Sequence, residues 1–204
     1  MTQTTAEPGT QLNVGDHVCA FYRGRAERDE LLVPFLADGL SAGHRCLAIV
    51  DTGAPEEVIA AVGPADQLSV LTSRNVYLTD ERFDMDRMLA FYAAALDDAA
   101  TDPAFGCIRT AGEMSWALDG PPGAEDLLAY EARVNQVLAG RPEAAISMCL
   151  YDVERFDGEV IVGVLRTHPK AVLSGTVVDN PFYIRPEDYL ERWAGDGDQP
   201  PHGT

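Results

Sequence analysis

Two histidines and two cysteines are the residues of this chain best suited to hold a transition metal. His17 and Cys19 lie two apart in an apolar run, so on a strand their side chains share a face. With Cys149 and His168 they could compose a mixed His/Cys site for a transition metal or a haem. Their spacing matches no metal-ligand signature, and strand cysteines usually serve as small buried hydrophobes. No cofactor is therefore expected, and the metal or haem site stands as an alternative. A Cys–His nucleophile pair finds no orienting Asn or Asp for its histidine. Arg109 and Glu113 form a second polar pair. They could recognise the head group of a ligand, or they could be the ion pair and backbone hydrogen bonds that burial demands of any charge.

Phosphate chemistry is the notable absence. Asp16–Tyr22 reads as a buried first strand and Glu27–Leu40 as the helix after it, with Arg23-Gly24-Arg25-Ala26 between them. A nucleotide-binding βα unit needs a glycine-rich turn there, ending in Lys and Ser or Thr, to aim backbone N–H groups and a lysine at the phosphates. One glycine and two arginines do not rebuild that cradle.

The elements that must position these residues alternate regularly. Leu31, Leu32, Phe35, Leu36 and Leu40 make an apolar stripe on the first helix, with Gly43 as its stop. Strands follow at Arg45–Val50 and Leu68–Thr72, separated by a short helix at Pro55–Val62. A helix at Asp84–Ala99 leads to a fourth strand within Gly106–Trp116. Asp119–Gly123 breaks the chain before a helix at Glu125–Leu138 and a fifth strand at Ala145–Tyr151. The apolar run Glu159–Leu165 suits a helix crossing back over the sheet, and Ala171–Val178 reads as the last strand. This alternation predicts an α/β fold with a mostly parallel, doubly wound sheet and helices on both faces. One domain is expected over residues 14–193, with flexible tails at 1–13 and 194–204.

In open α/β sheets, ligands gather outside the carboxyl ends of the strands. The first strand delivers Phe21 and Tyr22, and the fourth delivers Arg109, Glu113, Met114 and Trp116. The fifth delivers Cys149, Tyr151 and Asp152, with Arg155 just beyond. The set is aromatic, sulfur-bearing and sparsely charged, as in a pocket for a small organic molecule. Phe21, Tyr22, Trp116 and Tyr151 are expected to line that pocket, with Arg109, Glu113 or His17 as polar contacts.

Composition narrows the function classes. The 204 residues carry 15 basic and 33 acidic side chains, a net charge of −18, which argues against direct binding of DNA or RNA. No apolar run reaches the length of a membrane span, and the first eleven residues lack the features of a signal peptide, so a cytoplasmic protein is expected.

Six segments, in order, carry a family resemblance. They are Gly15–Tyr22, Gly112–Trp116, Tyr130–Asn135, Cys149–Phe156, Leu165–Pro169 and Asn180–Tyr183. Together they resemble the MEDS domain, the sensory domain of methanogens, methylotrophs and the dichloromethane-responsive repressor. The resemblance implies a RecA-like or KaiC-like three-layer fold with a degenerate phosphate loop. It also implies recognition of small hydrocarbon derivatives, with the signal passed to an output domain. About a dozen residues precede the matching region, so either the chain is a fragment of a larger protein or signalling is expected through a separate protein: an anti-sigma-type regulator, a histidine kinase or a transcription regulator. A homodimer is compatible with this reading. The competing classes are a degenerate RecA-like NTPase or hydrolase, a His/Cys metal or haem sensor, and a scaffold whose pocket is filled by its own side chains.

Overall fold

The computed structural model describes residues 12–51, 53–102, 104–142, 144–173 and 175–196. Its centre is a seven-stranded sheet in the order β3-β2-β6-β7-β1-β8-β9. The members are β1 (His17–Tyr22), β2 (Arg45–Val50), β3 (Leu68–Thr72), β6 (Ile108–Glu113), β7 (Ala145–Asp152), β8 (Lys170–Leu173) and β9 (Thr176–Asp179). All neighbours are parallel except β8 and β9. Between β3 and β6 lie a short helix α3 (Ser73–Val76) and a small hairpin of β4 (Leu78–Thr79) and β5 (Arg82–Phe83).

Helices cover both faces. α1 (Gly24–Ser41) and α2 (Pro55–Val62) pack on one side; α4 (Met85–Thr101), α5 (Leu127–Ala139) and α6 (Gly158–Thr167) pack on the other. A last helix, α7 (Pro186–Asp196), lies against α5 and α6. This is the doubly wound three-layer arrangement expected from the alternation of elements. Two apolar cores follow from it, one on each side of the sheet. Val18, Ala20 and Leu150 face α1 with Leu32 and Leu36. Cys19, Cys149 and Tyr151 face the opposite way, with Tyr130 and Val134 of α5.

Local chemistry sets the element ends. α1 begins at Gly24, three residues before the expected start at Glu27, and the Glu27 carboxylate accepts the Arg23 N–H at 2.8 Å. Gly43, at φ +77°, ends it as expected. The Asp84 carboxylate accepts from the Arg87 N–H at 2.9 Å to cap α4, and Asp157 does the same for α6 through Val160 at 2.8 Å. The run at Glu159–Leu165 is a helix, as expected, with its own cap.

Three expectations need correction. Ala171–Val178 is two antiparallel strands, since Gly175 at φ +77° turns the chain back on itself. The fourth strand lies within Gly106–Trp116 as expected, but it ends at Glu113, so Met114 and Trp116 belong to the 3-10 turn Met114–Asp119 and not to the strand. α7 carries regular structure to Asp196, into the segment expected to be tail, whereas residues 1–11 and 197–204 lie outside the described residues. Among the described residues, no helix is long and apolar enough to cross a membrane.

Candidate functional site

The residues expected to form one pocket are divided by the sheet. Side chains alternate along a strand, so Tyr22, Glu113 and Asp152 point toward α1, while His17, Cys19, Cys149 and Tyr151 point toward α5.

On the α1 side, a buried ion pair occupies the ground where a nucleotide would need its phosphate loop. Arg23 alone separates β1 from α1. One helical turn on, the fully buried Arg28 donates from Nη1 to Glu113 Oε2 at 2.9 Å. The same carboxylate accepts the Tyr22 hydroxyl at 2.9 Å and the Asp51 N–H at 2.8 Å. Burial, and then the Glu113 carboxylate, push the Tyr22 hydroxyl well above its usual range. Glu113 is therefore committed within the fold. Asp152 accepts the Glu154 N–H at 3.0 Å in a local turn, and Arg155 is exposed.

Arg109 departs further from expectation. It is the second residue of β6, so it sits near the amino end of the strand under α1. Its guanidinium donates to the Phe35 carbonyl at 2.9 Å and stacks 5.1 Å from the Phe35 ring centroid. Gly39 permits this packing, since a Cβ there would come within 2.7 Å of the Arg109 side chain. Trp116 also leaves the expected pocket. It is packed between Tyr77 and Phe83, with ring centroids 5.0 and 4.6 Å away. Phe21 and Tyr22 instead line an open apolar groove of about 420 Å³ at the ends of β1 and β8, with Leu173 and Phe182.

The cavity of interest lies deeper, over the middle of β2, β6 and β7. It measures about 40 Å³ and is lined by Leu47, Ile49, Tyr77, Met88, Met114 and Cys149, among others. One water needs about 10–15 Å³ by this kind of measure, so the space suits a molecule of very few heavy atoms. Gly112 forms part of the wall, and a Cβ there would approach the Tyr77 hydroxyl to 2.4 Å. Of the residues expected to bind a ligand, Met114 and Cys149 reach this cavity.

Beside the cavity, on the α5 face, four buried side chains converge. Parallel pairing puts His17 opposite Ser147 and Cys19 opposite Cys149, which brings His17 Nε2 to 3.4 Å from Cys149 Sγ. α5 lays Glu131 across them, with Oε2 3.4 Å from His17 Nε2 and 3.4 Å from Cys149 Sγ. His168, at the C-terminal end of α6, places Nε2 3.5 Å from the same oxygen. The Tyr151 hydroxyl donates to Glu131 Oε1.

The outer nitrogens of both histidines are held. Asn135 donates from Nδ2 to the Glu131 and Thr167 carbonyls, at 3.1 and 2.7 Å, which turns its Oδ1 toward His17 Nδ1 at 3.1 Å. His168 Nδ1 donates to the Val164 carbonyl at 2.8 Å. Burial, with His17 beside it, drives His168 down to about 3, so its imidazole is neutral near pH 7. Burial pushes the Glu131 carboxyl up, but the histidines and the Tyr151 hydroxyl outweigh it and hold Glu131 at about 2. Burial and the neighbouring carboxylate keep Cys149 a thiol.

Cys19 stays out of this group, donating instead to the Lys170 carbonyl at 3.6 Å. Glu131 was the residue missed. It stands with Asn135 four residues on, a polar pair on the apolar face of α5, and that i, i+4 pattern was the available signal. A haem does not fit, since the adjoining cavity of about 40 Å³ leaves no room for a macrocycle.

Known proteins share this architecture. Flagellar accessory protein FlaH from Methanocaldococcus jannaschii superposes with a TM-score of 0.53 at 10% identity, covering 83% of this chain and 77% of FlaH, which is a likeness of fold. The transcriptional repressor DcmR of Methylorubrum extorquens is 31% identical over 176 residues, or 80% of this chain. The match spans 62% of the length of DcmR. A family profile described as the methanogen/methylotroph, DcmR sensory domain matches residues 16–169. This region contains β1 through α6 and all four residues of the buried cluster. The chain therefore belongs to the MEDS family of sensory domains.

Proposed function

We propose that this sensory domain detects a small apolar molecule, a hydrocarbon derivative of very few heavy atoms, in the cavity between β2, β6, β7 and helices α4 and α5. The cavity carries the reading: it measures about 40 Å³ and is walled mainly by aliphatic, aromatic and sulfur-bearing side chains, with Thr110 and Ser147 also in the lining. Methionine and cysteine sulfurs give such a wall a soft, polarizable character suited to a compact apolar guest. The output passes to a separate regulatory protein or to another part of a longer chain, as the likeness to a transcriptional repressor suggests. Direct nucleic-acid binding by this domain is not part of the reading, given the net charge of −18.

The size of the guest sets its affinity. Burying roughly 100 Å² of apolar surface gains about 2.5 kcal/mol before association costs. Millimolar concentrations are therefore the range to screen. The test is thermal unfolding of the full chain against a panel of one- to three-carbon alkanes, alcohols and halocarbons. A ligand selective for the folded state raises the Tm by mass action. Val134→Ile adds a methyl group to the cavity wall; it is expected to raise the Tm of the free protein and abolish the ligand response. A flat response across the panel overturns the proposal, as does an undiminished response in Val134→Ile.

A further inference from the structure

We propose that His17, Glu131, Cys149 and His168 form a closed, four-ligand site for a divalent transition metal of borderline softness, with zinc as the best fit. The site adjoins the apolar cavity through Cys149, which belongs to both, but the inference does not require a guest in that cavity.

Geometry is the first support. One donor atom from each of the four residues lies within 4.8 Å of all the others. Four of the six separations are 3.4, 3.4, 3.4 and 3.5 Å. A tetrahedron with zinc bonds of about 2.0–2.3 Å has edges of about 3.3–3.8 Å. The His17, Glu131 and Cys149 donors thus stand close to three corners that a tetrahedral ion requires, with His168 Nε2 within 4.8 Å of each as the fourth.

Orientation is the second. Metal-bound histidines commonly donate their outer N–H to a carbonyl or carboxylate, which fixes the tautomer. Here the Val164 carbonyl holds the N–H of His168, and Asn135, oriented by two backbone carbonyls, holds that of His17. In the neutral, metal-binding form of each imidazole, the Nε2 lone pair points into the cluster. His168 Nε2 is fully buried and makes no hydrogen bond there. Without an ion, the unbonded His168 Nε2 faces the Glu131 carboxylate oxygen, an arrangement that burial makes costly. A cation at the centre would bond to both.

Charge is the third. Binding displaces the Cys149 thiol proton to solvent and forms the metal–sulfur bond. Thiolate and carboxylate together carry two negative charges, and the imidazoles carry none. A dication then makes the buried site neutral, which suits a cluster whose members are 0–7% exposed. With all four positions taken by protein, the ion has a structural role, tying β1, β7, α5 and the end of α6 together.

The site is tested by metal content and spectroscopy on the full chain. Protein expressed with added zinc or cobalt, or refolded in the presence of either, is expected to retain one ion per chain through gel filtration. The cobalt form should show visible tetrahedral bands and a near-ultraviolet thiolate charge-transfer band. Cys149→Ser should abolish that band and weaken retention at least tenfold, whereas Cys107→Ser, away from the cluster, should change neither. X-ray absorption of the unmutated zinc form is expected to give one sulfur at about 2.3 Å and three nitrogen or oxygen donors at about 2.0–2.2 Å. That measurement decides the matter even if the variant fails to fold. No bound ion after both loading routes overturns the proposal, as does a shell with no sulfur or with two.

Discussion

Arg28 and Glu113 show at the level of single residues what has replaced phosphate binding in this fold. Both are fully buried, and the arginine reaches down from the first turns of α1 into the space a phosphate would need. Removing one member takes away the other's buried charge partner, a change that typically costs about 3–5 kcal/mol. Arg28→Met is therefore expected to lower unfolding free energy by that amount, measured by urea titration. The double variant Arg28→Met, Glu113→Leu should lose clearly less than the sum of the two single changes, because neither buried charge is then left facing the other's empty place, although the half-exposed Asp29 still loses its Arg28 contacts. A strictly additive result would mean that the two side chains are not partners. On the other face of the sheet, Glu131 belongs to a different polar cluster, and the pleat keeps the two apart.

At the level of elements, α6 matters more than its ten residues suggest. Its C-terminal end delivers His168, and Asn135 and Asn180 bind its last carbonyls at 2.7 Å or less. This accounts for Asn180-Pro181-Phe182-Tyr183 as a motif: Asn180 straps the hairpin to the helix end. The N-terminal end depends on Asp157, whose carboxylate satisfies the Val160 N–H. Asp157→Ala should cost about 1 kcal/mol, typical of a lost N-cap. Asp157→Asn should recover most of it, since Asn caps nearly as well. Chemical denaturation of the two variants side by side checks the assignment, and equal losses would refute it.

For the whole molecule, charge is the dominant global property. A net charge of −18 over 204 residues makes the folded surface repel itself. Most ion pairs at the surface, such as Arg74–Glu81 and Arg185–Asp188, are too exposed to offset this repulsion. Raising sodium chloride from about 0.02 M to 0.3 M shortens the screening length severalfold. The Tm is therefore expected to rise with salt in calorimetry. A falling Tm would show that attractive surface pairs outweigh the net repulsion.

Element order, the parallel sheet and the missing phosphate loop were legible in the sequence, because they depend on period and on residue type. Runs such as Arg45–Val50 and Ala145–Tyr151 announce buried strands by composition alone, and Gly43 announces a helix end. The short pieces were not legible: α3, the β4–β5 hairpin and the β8–β9 turn are too brief for a period to register. The sequence also supplied three members of the buried cluster, His17, Cys149 and His168. It could not exchange Cys19 for Glu131, since that depends on which helix face the packing of α5 turns toward the sheet. Nor could it separate Glu113 from Tyr151, because residues gathered at the ends of neighbouring strands look adjacent until register assigns each to a face. Tertiary structure made that assignment, and the same packing left the small cavity beside Gly112 where no side chain fills the space.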